Sequence, residues 1–223
     1  MRGENYLRFI KTNYKKIIWI LIIIIGISLI LFPTISNLIN DSNSNNQIDE
    51  YNKAVSGLTD DEKSNMEENA SKYNSTGNSN YYNALNLGEV ISYIEIPKIN
   101  VYLPIYNDTS EKTLSVAIGH LERTSLPVGG KGTHCVLTGH SGLTTNKLFT
   151  DLDKLEVGDT FTLHTLDKKL VYKVTNIEII LPDDVYYNCE YDKDRCTLVT
   201  CTPIGVNTHR LCVRGERVLN NED

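Results

Sequence analysis

The sequence predicts a mainly β domain, an antiparallel barrel or sandwich, preceded by a membrane-spanning helix. Three observations carry this. Short apolar runs with strand-like alternation follow one another from residue 88 onward, each ended by a turn signal. Helical periodicity in that stretch is confined to residues 144–155. Ahead of it stands a sixteen-residue run without a charge, 17–32, IIWILIIIIGISLILF.

The apolar run spans ~24 Å at ~1.5 Å per residue. Continuing it through Ile35, Leu38 and Ile39 gives the ~20 residues a bilayer requires. No small-residue cleavage site follows it, so an uncleaved anchor over 17–39 is favoured over a signal peptide. The preceding segment, 1–16, carries Arg2, Arg8, Lys11, Lys15 and Lys16 against Glu4, a net +4. That basic flank predicts a cytoplasmic N-terminus, a single pass, and everything after Phe32 outside the cell. The whole chain is −6 over 223 residues, which leaves −10 beyond residue 16. Such an acidic surface disfavours nucleic-acid binding, which depends on Lys and Arg meeting phosphates.

Residues 40–87 read as a polar linker and candidate lid segment. The stretch 41–47, DSNSNNQ, has the composition of a tether. Thr59 and Glu62 form a capping-box pattern opening a helix over 60–72, which has few apolar residues. Residues 75–80, STGNSN, read as flexible, and the folded domain is expected to begin at 81–87. Tyr73, Tyr81 and Tyr82 are candidates to approach a groove.

In the domain, 88–223, strands are predicted over 90–96, 101–105, 133–138, 160–166, 170–180, 197–201 and 210–213. Pro97 stops the first, and Gly129-Gly130 and Gly158-Asp159 mark turns. Asp183-Asp184 and 192–194 read as solvated turns, since nothing in their spacing resembles a calcium loop. No metal or other cofactor is expected. Five cysteines without C-x-x-C pairs predict neither a disulfide scaffold nor a zinc site. Cys135 and Cys212 sit within apolar strands and read as buried, and a Cys189–Cys196 disulfide is the less favoured of two readings.

Three constellations carry chemistry. In Thr138-Gly139-His140-Ser141-Gly142 a strand ends at a glycine and presents an imidazole. In 197–203, TLVTCTP, a strand delivers Cys201 to its end just before a turn. A thiol reacts as thiolate and needs a cation nearby. Residues 207–215, NTHRLCVRG, supply one: a hairpin turning near 205–207 brings Arg210 beside Cys201, where its donors can hold an oxyanion. Arg214 and Arg217 read as surface residues. His120, His134 and His209 are rivals to His140, with His209 the strongest as Arg210's neighbour. Histidine before cysteine is the reverse of the papain order, and the caspase Q-A-C-x-G pattern is absent.

At these residues the chain resembles the sortases, cysteine transpeptidases of Gram-positive bacterial surfaces. Their TLxTC motif is similar to 197–201, their strand-end histidine to His140 in LTGHSG, and their arginine to Arg210 in THRLCVRG. The resemblance runs from about Tyr93 to Val218, through IEIPKINVYLPIY, GHLERTSLPVGG, LFTDLDKLEVGDTF and TCTPIGVNTHRL. GHLERTSLPVGG and TCTPIGVNTHRL are most similar to the class C, pilus-assembling branch. The resemblance implies a closed barrel of about eight strands with short helices. It implies catalytic His140, Cys201 and Arg210. Thr200, His120 and His209 are the candidate substrate-binding residues, with core packing weighed equally for Thr200 and a structural role favoured for His120.

The implied reaction is cleavage of a Leu-Pro-x-Thr-Gly-like sorting signal between Thr and Gly through a Cys201 thioester. The acyl group then passes to an amine, a pilin lysine in the pilus branch or a cell-wall precursor in the anchoring branch. The expected partners are pilin or surface-protein substrates, and the expected state is a monomer. An inactive membrane-tethered binding module is the third reading. Two features depart from the pilus branch. No proline lies between Pro33 and Pro97, so its Asp-Pro-aromatic lid motif is missing, and only five residues follow Val218 where many members carry a second membrane segment.

Overall fold

The computed structural model describes residues 2–184 and 192–218, with side chains from Tyr14 onward. Eight strands close into a barrel in the order β1-β2-β3-β4-β7-β8-β6-β5. They are β1 (Val90–Ile96), β2 (Val101–Tyr106), β3 (Ile118–His120), β4 (His134–Thr138), β5 (Thr160–Thr165), β6 (Lys168–Ile180), β7 (Arg195–Thr202) and β8 (His209–Arg217). The seven predicted strands are all present. The eighth, β3, has three residues and is too short to show an alternation.

The expected antiparallel arrangement is corrected to a mixed one: β2–β3 and β4–β7 are parallel. Parallel neighbours need a crossover. The chain between β4 and β7 supplies it with the β5–β6 hairpin, which closes the far side of the barrel against β1. The helix predicted over 144–155 is reduced to one turn, Leu152–Lys154. Its apolar residues Leu148, Phe149, Leu152 and Leu155 are buried, so the periodicity reflected burial rather than helix.

The core is filled by Ile91, Ile94, Ile105, Leu137, Phe161, Leu163, Tyr172, Leu198 and Val213. Phe161 and Tyr172 stack at 5.5 Å and 15°. Gly215 makes room for them, because a Cβ there would lie 2.7 Å from the Phe161 ring and 2.9 Å from Tyr172 Cβ. Asp194, read from sequence as a solvated turn residue, is instead half-buried. It accepts from the Gly130 N–H and from the Thr133 and Tyr172 hydroxyls, and burial raises its carboxyl above the usual range. Cys196 is a free, fully buried core thiol paired in register with Cys135. Cys189, its suggested disulfide partner, lies outside the described residues.

The N-terminal region departs most from expectation. One helix, α1 (Arg2–Ser56), runs through Pro33 and through the polar stretch 41–47. Pro33 forfeits a single intrahelical bond, which a 55-residue helix tolerates. Over its apolar part the side chains face outward, Trp19 66% and Ile30 77% exposed, and α1 is the one described helix long and apolar enough to cross a membrane. Its last turns are no tether. Ser44, Ile48, Tyr51 and Val55 recur at helical spacing and are buried. Tyr51 bridges β1 and the β5–β6 turn, donating to the Ile91 carbonyl at 3.2 Å and accepting from the Leu166 N–H at 2.8 Å. Burial pushes its hydroxyl up to about 12.

The helix predicted from the capping box is α2 (Asp60–Thr76), with both reciprocal Thr59–Glu62 bonds made. It ends at Gly77 and packs through Ala70 and Tyr73. Asn74 clamps Leu126, accepting from its N–H at 2.7 Å and donating to its carbonyl at 3.1 Å. The packed structure thus begins near Ser44, well before 81–87.

Two histidines are enclosed by this packing. Burial pushes His120 and His134 down to about 4. A histidine with a depressed folded pKa stabilises the fold fully above its unfolded value, and that contribution is lost as pH falls through the folded value. The denaturation midpoint is therefore expected to fall as pH drops from 6.5 towards 4, with His120→Gln flattening the fall. Urea titrations of the full chain across that window test this; a midpoint that does not change with pH contradicts it.

Candidate active site

On β7 the alternation sends Cys196, Leu198 and Thr200 to the barrel interior and Thr197, Val199 and Cys201 to its outer face. The antiparallel register sets Cys201 opposite Arg210, and Ile180 of β6 lies opposite Arg210 in turn. Cys201, Arg210 and Ile180 thus form a row across three strands on one face. The floor beside this row is apolar: Val136, Val199 and Cys212, with Leu121 and Ile180 against them. Cys212, expected in the core, belongs to this outer cluster, and burial pushes its thiol up to about 11. Cys201, at the strand end, is half-buried. The Arg210 guanidinium donates to its own loop, to the Asn207 carbonyl at 3.2 Å and the His209 carbonyl at 3.1 Å.

The hairpin joining β7 to β8 turns where expected. Val206 and Asn207 N–H groups both bond the Pro203 carbonyl, at 3.0 and 2.9 Å. Ile204 and Val206 at its tip are 54% and 65% exposed.

His140 reaches the same end of the barrel because β4 lies parallel to β7, with Thr138 opposite Val199. Three bonds extend that pairing past the strand end. The Gly139 N–H donates to the Val199 carbonyl at 3.2 Å, the Thr200 hydroxyl to the Gly139 carbonyl at 2.7 Å, and the Ser141 hydroxyl to the Cys201 carbonyl at 2.6 Å. His140 is thereby fastened on both sides to the strand that carries Cys201. Gly142, at φ +74°, completes the turn with Ile204 directly over it; a Cβ there would meet an Ile204 methyl at 2.4 Å. The His140 ring is 28% exposed, and its Nε2 lies 3.5 Å from Glu111 Oε2.

The expected substrate-binding residues fare differently. Thr200 is corrected: it is buried with its hydroxyl committed to Gly139, so it shapes the site from behind. His120 takes the structural role favoured for it rather than a substrate-binding one. It is fully buried, its Nδ1 facing Asn107 Oδ1 at 3.2 Å and its Nε2 facing the Ser125 carbonyl and Thr124 hydroxyl at 3.0 and 3.1 Å. Tyr82 covers it at 6.1 Å and bonds the Asn107 carbonyl. Tyr73 packs on Tyr82 at 5.4 Å, so these two lid candidates are built into the side wall. His209 pairs with Thr202, one step from the Cys201–Arg210 pair, and alternation turns it to the opposite face. His134 is buried against the Thr197 hydroxyl at 2.7 Å and does not compete for the role.

Sequence reasoning missed Ser141, Ile204 and Glu111. Ser110 is a visible N-cap for the short helix α3 (Glu111–Leu114), but only the closed barrel brings α3 to His140.

A strand-end cysteine facing an arginine across a hairpin, with a histidine from the parallel neighbour, on a closed mixed eight-strand barrel, defines the sortase type of protein. The family model of the sortase domain matches residues 94–218, more than half of the chain, and the chain belongs to the sortase family. It is similar to sortase A of Bacillus anthracis, 30% identical over 135 residues that cover 60% of this chain and 63% of that protein. It is 29% identical over 212 residues to sortase A of Listeria monocytogenes, covering 91% and 90% of the two chains. Among solved structures it is similar to sortase C of Streptococcus pneumoniae, with 40% identity, TM-score 0.75, and 78% and 97% of the two chains covered. Sortase C1 of Streptococcus agalactiae gives 40% identity, TM-score 0.76, and 81% and 100%. A further similar solved structure is described as the pilus-related sortase C of Group B Streptococcus, 37% identical with TM-score 0.73.

Thr200→Val removes the donor to the Gly139 carbonyl and leaves that acceptor buried, at a cost of about 1–3 kcal/mol. Unfolding of the variant beside wild type measures it; an unchanged midpoint would show that the bond does not hold the histidine loop.

Proposed function

We propose that this chain is a membrane-anchored cysteine transpeptidase that cleaves a Leu-Pro-x-Thr-Gly-like sorting signal between Thr and Gly and passes the acyl group to a pilin lysine. The observation that carries the reading is the Cys201–Arg210 register pair, with His140 fastened to the same strand end. The pilus assignment rests on the similarity to class C neighbours, one of them described with pilin substrate specificity. The anchor reading is supported by the outward-facing apolar length of α1, and the basic segment before it favours a domain outside the cell.

The residues divide the work as follows. The Cys201 thiol gives its proton to His140, and the thiolate attacks the Thr carbonyl carbon. Arg210 uncurls from its loop carbonyls and donates to the oxyanion that forms. As the C–N bond breaks, the His140 imidazolium protonates the departing Gly amine. A thioester remains on Cys201. His140, now neutral, takes a proton from the incoming lysine amine, which attacks the thioester and returns Cys201 as thiolate. Bonds made and broken balance, and no cofactor enters. Leu121 and Ile180, half-buried over the enclosed cluster of Val136, Val199 and Cys212, give the Leu-Pro part of the signal an apolar surface.

Intact mass of the full chain after incubation with a sorting-signal peptide tests the nucleophile: an acyl adduct on wild type and none on Cys201→Ala. Absence of the adduct from wild type would move the reading to a binding module. Supplying a pilin lysine or a wall-type amine then tests the acceptor. Resolution of the thioester by the wall-type amine alone would turn the reading to single-protein anchoring. Arg210→Lys is expected to remain slow, because a point charge replaces a planar fork; a near-normal rate in that variant argues against the oxyanion role.

A further inference from the structure

The carboxylate beside His140 has no part in the reaction as written. Glu111 Oε2 lies 3.5 Å from His140 Nε2, yet the Glu111 side chain is 92% exposed. Its backbone is far more constrained. It opens α3, whose N-cap Ser110 accepts the Thr113 N–H at 3.3 Å. Asp108 accepts from the Ser110 N–H at 2.8 Å and the Thr113 hydroxyl at 3.0 Å. The short helix is therefore pinned at the point where Glu111 leaves it. The charged and titratable groups on the elements around His140 are Asp108, Glu111 and Lys112 at α3, Lys147 on its own loop, Cys201 on β7, and His209 and Arg210 on β8. Asp108 is occupied as described, and Lys112 faces Glu89 at 3.6 Å. Among the described residues, the carboxylate within ion-pair distance of the imidazole is Glu111.

We infer that Glu111 is a positioning residue for His140: its carboxylate holds the Nε2–H, fixes the ring, and leaves Nδ1 as the nitrogen that exchanges protons with Cys201 and the amines. The inference rests on the reading of His140 as the acid and base. A neutral imidazole has one N–H and one lone pair, so holding the proton on one nitrogen fixes the lone pair on the other. A nucleophile–base pair works best when a third group orients the base. In the imidazolium state the same contact becomes charge-assisted. The 3.5 Å separation is longer than a formed N–H···O bond. Contacts of this kind are often loose in unliganded sites and tighten when substrate binds. The exposed Glu111 side chain has the freedom to close the gap, and its pinned backbone confines the search.

The test uses the full chain in detergent with ¹⁵N-labelled histidine, as wild type, Glu111→Ala, Glu111→Asp and His140→Ala, the last assigning the His140 signals. At neutral pH the wild-type His140 is expected as the Nε2–H form, and Glu111→Ala as a mixture of the two tautomers. In acyl transfer, Glu111→Ala is expected to lower kcat by about tenfold, a part of the ~10²–10⁴ that positioned acid–base groups supply. The KM for the sorting peptide should stay within about twofold, and Glu111→Asp should recover part of the rate. Unchanged tautomer and rate in Glu111→Ala, with His140→Ala inactive, would overturn the inference and leave the proposed reaction standing. Full activity in His140→Ala would remove the proposed reaction and this inference with it.

Discussion

The placement of β7 between a parallel β4 and an antiparallel β8 is the constraint on which the site depends. Side chains alternate along a strand, so a one-residue slip in the β7–β8 register would send Cys201 inward and Thr200 outward. Two features oppose such a slip. Inside the barrel, Gly215 of β8 fits beneath the stacked Phe161 and Tyr172, and no other residue of that strand lacks a Cβ. Along β7, an interior row of Cys196, Leu198 and Thr200 meets Gly215, Val213 and Leu211. Slippage would expose that row and bury charged Arg214. The parallel pairing with β4 then decides where His140 can be, because both strands run to the same end of the barrel.

The site is therefore an outer-face feature built on an inner-face register. Its apolar floor is buried although it lies outside the barrel, covered by Leu121 from the loop after β3 and by Ile180 from the long strand β6. Water is kept from the floor while Cys201, His140 and Arg210 stay partly open at its end. The chain's histidines show the same division. His120 and His134 are enclosed and held neutral by burial, which disqualifies them from proton transfer near neutral pH. His140 keeps an open edge towards Glu111.

Residues 40–87 act as a strap on the barrel. The end of α1 inserts Ile48, Tyr51 and Val55 beside β1 and β2. Helix α2 is fastened through Asn74 to Leu126 and through Lys63 to Asp167 at 2.7 Å. Helix α1 is continuous from its apolar stretch into this packing, with no break at the polar 41–47 stretch.

Much of this was legible in the sequence, because it is local chemistry. Period-two alternation gave seven strands, the Thr59–Glu62 box gave the start of α2, and the charge-free run gave the apolar part of α1. The turn before Asn207 was enough to place Arg210 across from Cys201, since a hairpin register follows from its loop. What remained was decided by tertiary contact. The parallel β2–β3 and β4–β7 pairs follow from barrel closure, which no local pattern encodes. The polar 41–47 stretch has poor helix propensity and became helical because Ser44 and Ile48 are buried against the barrel. Thr200 and His120 carry the same chemical groups as substrate-binding residues. Their hydroxyl and ring nitrogens are turned to Gly139, Asn107 and Ser125 by contacts that form only in the folded chain. Glu111 and His140 are 29 residues apart in the sequence, and only the folded barrel brings their side chains within 3.5 Å.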